Sequence, residues 1–168
     1  ASSTSTGALQ VWGGIGVGKN IITGEPSTIN GVYISGALNG GGGYNIAIGS
    51  GALGANNGAQ YLTAVGFNAL QLANVSENSA FGYNAGGSLT SGSKNTFIGI
   101  SAGAGMASGT FNSVLGHQSY TGQGASSYNT ILGSNINATA NQVQNYNTFI
   151  GYNIANQTTR PGSYNIAI

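Results

Sequence analysis

Few residues in this chain can do chemistry. The acids are Glu25 and Glu77, the bases Lys19, Lys94 and Arg160, with one histidine, His117, and neither Asp nor Cys. Catalysis needs positioned acids, bases or nucleophiles. A Ser-His-Asp triad is excluded by the lack of Asp, and a Ser-His-Glu one would need Glu25 or Glu77 beside His117. Residues 13–20, Gly-Gly-Ile-Gly-Val-Gly-Lys-Asn, nearly spell a phosphate-binding loop. That loop needs a Ser/Thr hydroxyl for the metal and a helix behind it to aim amides at phosphate. Here Asn20 stands in place of the hydroxyl, and β-prone Ile21-Ile22-Thr23 and then Gly24 follow. A Gly-rich strand turn fits better. Three symmetry-related copies of His117 on an axis could hold a metal, but a tolerated surface or interface residue is the plainer reading. The expectation is no enzyme and no cofactor.

Composition narrows the class. Charged residues make up 3% of the chain and the net charge is +1, where a globular domain carries about 25% charged residues. That balance gives no electrostatic case for nucleic acid or an anionic membrane surface. No apolar run approaches the roughly 20 residues a membrane helix needs, so no membrane insertion is expected. The 31 glycines would suit low complexity, but regularly placed apolar residues argue against disorder.

The element that organises the chain is residues 147–154, Asn-Thr-Phe-Ile-Gly-Tyr-Asn-Ile. Copies begin at Asn45, Asn78, Asn95, Asn112 and Asn129, and at Leu62, where Leu replaces the leading Asn. The fixed glycines are Gly49, Gly66, Gly82, Gly99, Gly116, Gly133 and Gly151, separated by 17, 16, 17, 17, 17 and 18 residues. A near-constant period of this size signals a repeat architecture. The chain divides into residues 1–44, a Gly-rich connector of short strands and tight turns, and residues 45–168, seven repeats and the start of an eighth. The whole is expected to be a segment of a longer fibre.

Each repeat carries Asn, then Thr/Ser/Ile, then two apolar positions, then Gly. The third position holds Ala47, Ala64, Ala80, Phe97, Val114, Ile131 and Phe149. The fourth holds Ile48, Val65, Phe81, Ile98, Leu115, Leu132 and Ile150. Neighbouring residues of a strand point to opposite faces, so this strand is apolar on both. A single coil hides one face in its own lumen; the other must be covered by another chain or another layer. After the Gly a second short strand is expected, with Ala52, Ala69, Ala85, Ala102, Ser119, Ile136 and Ile154 in one column. Stacked coils align equal positions about 4.8 Å apart. The leading Asn residues, Asn165 included, then suit an amide ladder. The position before them reads Tyr44, Tyr61, Glu77, Lys94, Phe111, Tyr128, Tyr146, Tyr164, an aromatic ladder interrupted by an expected Glu77–Lys94 ion pair. Tyr83, Tyr120 and Tyr152 are candidates for stacking on sugar rings of a cell-surface glycan.

Residues 5–21 resemble a module that precedes fibrous segments in structural proteins of tailed phages and other large viruses. The repeats of residues 45–168 resemble the head repeats of trimeric autotransporter adhesins and, more closely, the N-T-F/A-I-G-Y-x-A-G repeats of phage tail-fibre proteins. The resemblance implies an all-β fold: a homotrimeric, left-handed parallel β-roll or β-solenoid of about 17-residue repeats. It implies a virion, extracellular location and a shaft that presents a distal host-receptor-binding tip. Partners would be other tail or baseplate proteins and, through the tip, a host surface glycan or protein. The head of a bacterial adhesin is the alternative. The chain departs from the adhesins in its longer period and in the large Phe97 and Phe149, and the longer period favours the phage version.

Overall fold

The computed structural model describes residues 27–29, 32–34, 44–121, 125–138, 145–156, 164 and 166–168. Among them there are strands and turns and no helix. Strands β1 (Ser27–Ile29) and β2 (Val32–Ile34) form an antiparallel hairpin. The repeats then contribute β3 (Ile46–Ile48), β4 (Thr63–Val65), β5 (Ser79–Phe81), β6 (Thr96–Ile98), β7 (Ser113–Leu115), β8 (Thr130–Ser134), β10 (Thr148–Tyr152) and β12 (Ile166–Ala167). These eight pair in parallel, each with the next copy, in one sheet ordered β1-β2-β3-β4-β5-β6-β7-β8-β10-β12. The fold is a β-solenoid of about six turns. β2 pairs antiparallel with β3 through Ile34 and Ile48, so the hairpin covers the edge of the first coil. A covered edge cannot template pairing with another chain.

The register joins equal repeat positions: Phe97 pairs with Val114, Val114 with Ile131, and Ile131 with Phe149. Third-position side chains point inward and are buried, from Ala64 at 0% exposure to Ala47 at 7%. The interior is filled by trading volume between columns. Where the third position is Ala47, Ala64 or Ala80, the lumen also holds Leu53 and Leu70. Phe97 instead lies against Gly86 and Gly103. A Cβ on Gly86 would sit 2.7 Å from the Phe97 ring, and one on Gly103 would overlap it.

Left-handed backbone turns the corners. The seven repeat glycines have φ between +123° and +145°, a region essentially reserved for glycine. A Cβ on Gly49 would lie 2.5 Å from the carbonyl oxygen of Gly66 in the next coil, and the glycines up to Gly133 meet the following coil in the same way. The position two residues later is also left-handed: Gly51, Asn68, Asn84, Ser101, Gln118, Asn135 and Asn153. Asn and Gly accept that conformation at least cost.

This overturns part of the sequence expectation. Among the described residues a second strand after the glycine is present only as β9 (Asn137–Ala138) and β11 (Ala155–Asn156), which pair in parallel. In the first five coils a second left-handed residue (Leu53, Leu70, Gly86, Gly103 or Tyr120) follows two positions after the first. The chain turns twice within a few residues and has no room for a strand. The expected column still points inward: Ala52, Ala69, Ala85, Ala102, Ser119 and Ile136 are buried, and Ile154 is partly buried against the core. The rest of the 1–43 stretch of the connector, the β-prone Ile21-Ile22-Thr23 included, lies outside the described residues.

Candidate functional site

The leading Asn side chains turn inward. From Asn78 they form a continuous buried ladder through Asn95, Asn112, Asn129 and Asn147. From Asn78 to Asn129 each Oδ1 accepts two bonds from the next Asn, one from its backbone N–H and one from its Nδ2; for Asn112 and Asn129 these are 3.1 and 3.0 Å. The Nδ2 of Asn112 also donates to the Ser126 carbonyl at 2.7 Å. Leu62 breaks the ladder, and its backbone N–H still donates to Asn45 Oδ1. Above that break Asn78 Nδ2 turns to the Val75, Ser76 and Gly92 carbonyls. Asn165 lies outside the described residues. Replacing Asn112 with Ala removes the bonds its side chain makes with Asn95 Oδ1, the Ser126 carbonyl and Asn129. Each intramolecular hydrogen bond contributes about 0.5–1.5 kcal/mol net, so chemical denaturation should show a loss of roughly 3 kcal/mol.

The position before each Asn is a left-handed corner, with φ between 57° and 69° from Tyr44 to Tyr164. Sequence gave no hint of this, since no glycine occurs there. The strain is about 1–2 kcal/mol per residue and is offset by stacking outside the sheet. Tyr44 stacks on Tyr61 with ring centroids 5.4 Å apart. Phe111, Tyr128, Tyr146 and Tyr164 form a run at 5.1, 4.7 and 4.9 Å. Between the two runs, Lys94 Nζ lies 3.8 Å from Glu77 Oε2 and 4.9 Å from the Phe111 ring centroid. Both charged side chains are about half exposed, so the pair contributes at most about 1 kcal/mol.

The three tyrosines considered for sugar stacking separate. Tyr120 is 3% exposed and fills the lumen, which removes it as a surface platform. The sequence offers it as an exposed ring; in the fold it has a left-handed φ of 57° and faces inward. Tyr83 has one face occupied by Phe67, at 5.4 Å. Tyr152 is exposed. His117 is exposed as well, and no group of three or more His, Cys, Asp or Glu gathers among the described residues. Glu25, Lys19, Arg160 and the 13–20 loop lie outside the described residues.

Burial raises the Tyr120 hydroxyl above its ordinary pKa of 10.0, and a hydrogen bond with Ser126 partly opposes this. A group whose folded pKa is raised stabilises fully below its unfolded value and loses that contribution as pH climbs through the folded one. Stability should therefore hold up to about pH 10 and fall above it. Tyr120→Phe should flatten that alkaline fall in pH-dependent thermal melts.

The remaining feature is the outward face of the sheet. Fourth-position side chains point away from the lumen: Phe81, Ile98, Leu115 and Leu132 are 41–46% exposed, and Ile48, Val65 and Ile150 are partly exposed. They pair in register, one per strand, with Thr63, Ser79, Thr96, Ser113, Thr130 and Thr148 in a parallel row. Ile98, Leu115 and Leu132, with Thr96, Ser113 and Thr130, line a shallow apolar groove of about 290 Å³. The two-sided apolar strand is thus a real feature of the chain. Its inner face is closed by the chain's own lumen and its outer face is open. No family model, curated protein or solved structure matches this chain.

Proposed function

We propose that this chain is a structural shaft segment of a phage tail fibre or related virion appendage, and that three copies assemble along their open apolar faces. The observation that carries the reading is that face: one apolar side chain per coil, in register from Ile48 to Ile150. Covering the exposed half of each such side chain is worth about 1 kcal/mol. A row repeating at the strand spacing is matched along its length only by a surface of the same period, which a copy of this chain supplies. Strands β3 to β8 and β10 each carry the apolar position, and neither described charge, Glu77 or Lys94, lies on it.

The mechanism is mechanical. The amide ladder and ring stacks tie each coil to the next, so bending must break many contacts together, and the rod holds a distal receptor-binding end away from its base. The tail-fibre assignment rests on the likeness of the repeats; the adhesin head has similar repeats. The test is an intact mass and C-terminal peptide map of the native full-length protein. Co-purification with virion proteins and a soluble tip supports the fibre. A C-terminal run of amphipathic membrane strands overturns it in favour of the adhesin.

A further inference from the structure

We infer that the ring ladder is an oxidative modification site, where one-electron oxidation joins stacked tyrosines and covalently staples consecutive coils. Two independent observations point to it. The first is geometric. Tyr128 and Tyr146 lie parallel within 6° at 4.7 Å, Tyr146 and Tyr164 within 3° at 4.9 Å, and Tyr44 and Tyr61 within 2° at 5.4 Å. All five rings are at least 45% exposed, so an oxidant in solution reaches them.

The second is compositional. The chain has no Cys, a single Met and a single Trp against nine Tyr. Met106 is fully buried. No thiol competes for the oxidant or quenches the radical, so oxidising equivalents collect on tyrosine.

The oxidant is a haem peroxidase with hydrogen peroxide. Each of two phenols loses one electron and its hydroxyl proton, giving two phenoxyl radicals. The ring carbons ortho to oxygen form one carbon–carbon bond, and the two ortho hydrogens move to the oxygens and restore the phenols. Two electrons and two protons leave in total and reduce one hydrogen peroxide to two waters. Holding the rings side by side makes the coupling intramolecular, with the rate gain that proximity gives. The staple then limits the unfolded chain as a disulfide does.

The assembled protein is treated with peroxidase and hydrogen peroxide, and cross-linked peptides are mapped by mass spectrometry, with the same treatment in strong denaturant as reference. Native protein should give Tyr128–Tyr146, Tyr146–Tyr164 and Tyr44–Tyr61 links at least tenfold enriched over the denatured chain. Tyr146→Phe, which keeps a ring in the stack, should abolish the first two links and leave the third. A link pattern unchanged by denaturant, links mainly at Tyr83 or Tyr152, or no links in native protein would each overturn the inference.

Discussion

Replacing Gly99 with Ala should unfold the solenoid or cost at least about 4 kcal/mol. Gly99 has φ of +128°, where an L residue is strained by about 1–3 kcal/mol. Its added Cβ would also run into the carbonyl of Gly116 in the next coil. Backbone stacked on backbone cannot move aside without opening the β6–β7 ladder. Gly54→Ala is the matched control. That residue is exposed, is not left-handed, and its Cβ would meet nothing nearer than 3.2 Å. Thermal melts by circular dichroism should separate the two variants clearly. Equal melting points would mean that the coils do not stack as closely as described.

Leu132→Asp should leave the coil folded and abolish assembly. Leu132 is 43% exposed in one chain, so an Asp there stays hydrated in the monomer. In the assembly it becomes an uncompensated buried charge in every chain, at roughly 3–5 kcal/mol each. Its neighbour sets the contrast. Ile131 is 1% exposed and faces the lumen, so Ile131→Asp should lose the fold itself. Strand signal retained by the first variant and lost by the second, with the first running at monomer mass, is the expected pair of results. Wild-type assembly of Leu132→Asp would place the fourth position in solvent.

The parallel stack was legible because glycine and alternation act locally. Gly49 to Gly151 mark corners that only glycine can turn, and Ile98 and Phe97 face opposite ways because strand geometry requires it. The Asn ladder was legible as well, since an amide repeated at strand spacing bonds to its own copy; that it turns inward was not. What escaped was backbone handedness at positions without glycine. Nothing in Tyr128 or Lys94 signals a left-handed corner; only the stack they build offsets its cost. The same blindness put Tyr120 on the surface and a strand after every glycine. The complementary fit of Phe97 with Gly86 and Gly103 also required knowing which residues share the lumen. The open apolar face, which is the candidate site, followed from the sequence directly, because the fourth position is apolar in every copy.

The central claim is that this open face is closed by two further copies of the chain. Multi-angle light scattering on the purified protein, across a dilution series, tests it most directly. The account predicts the mass of three 16.6 kDa chains, unchanged on dilution. A stable, well-folded species of 16.6 kDa would contradict it, because the face from Ile48 to Ile150 would then be at home in water.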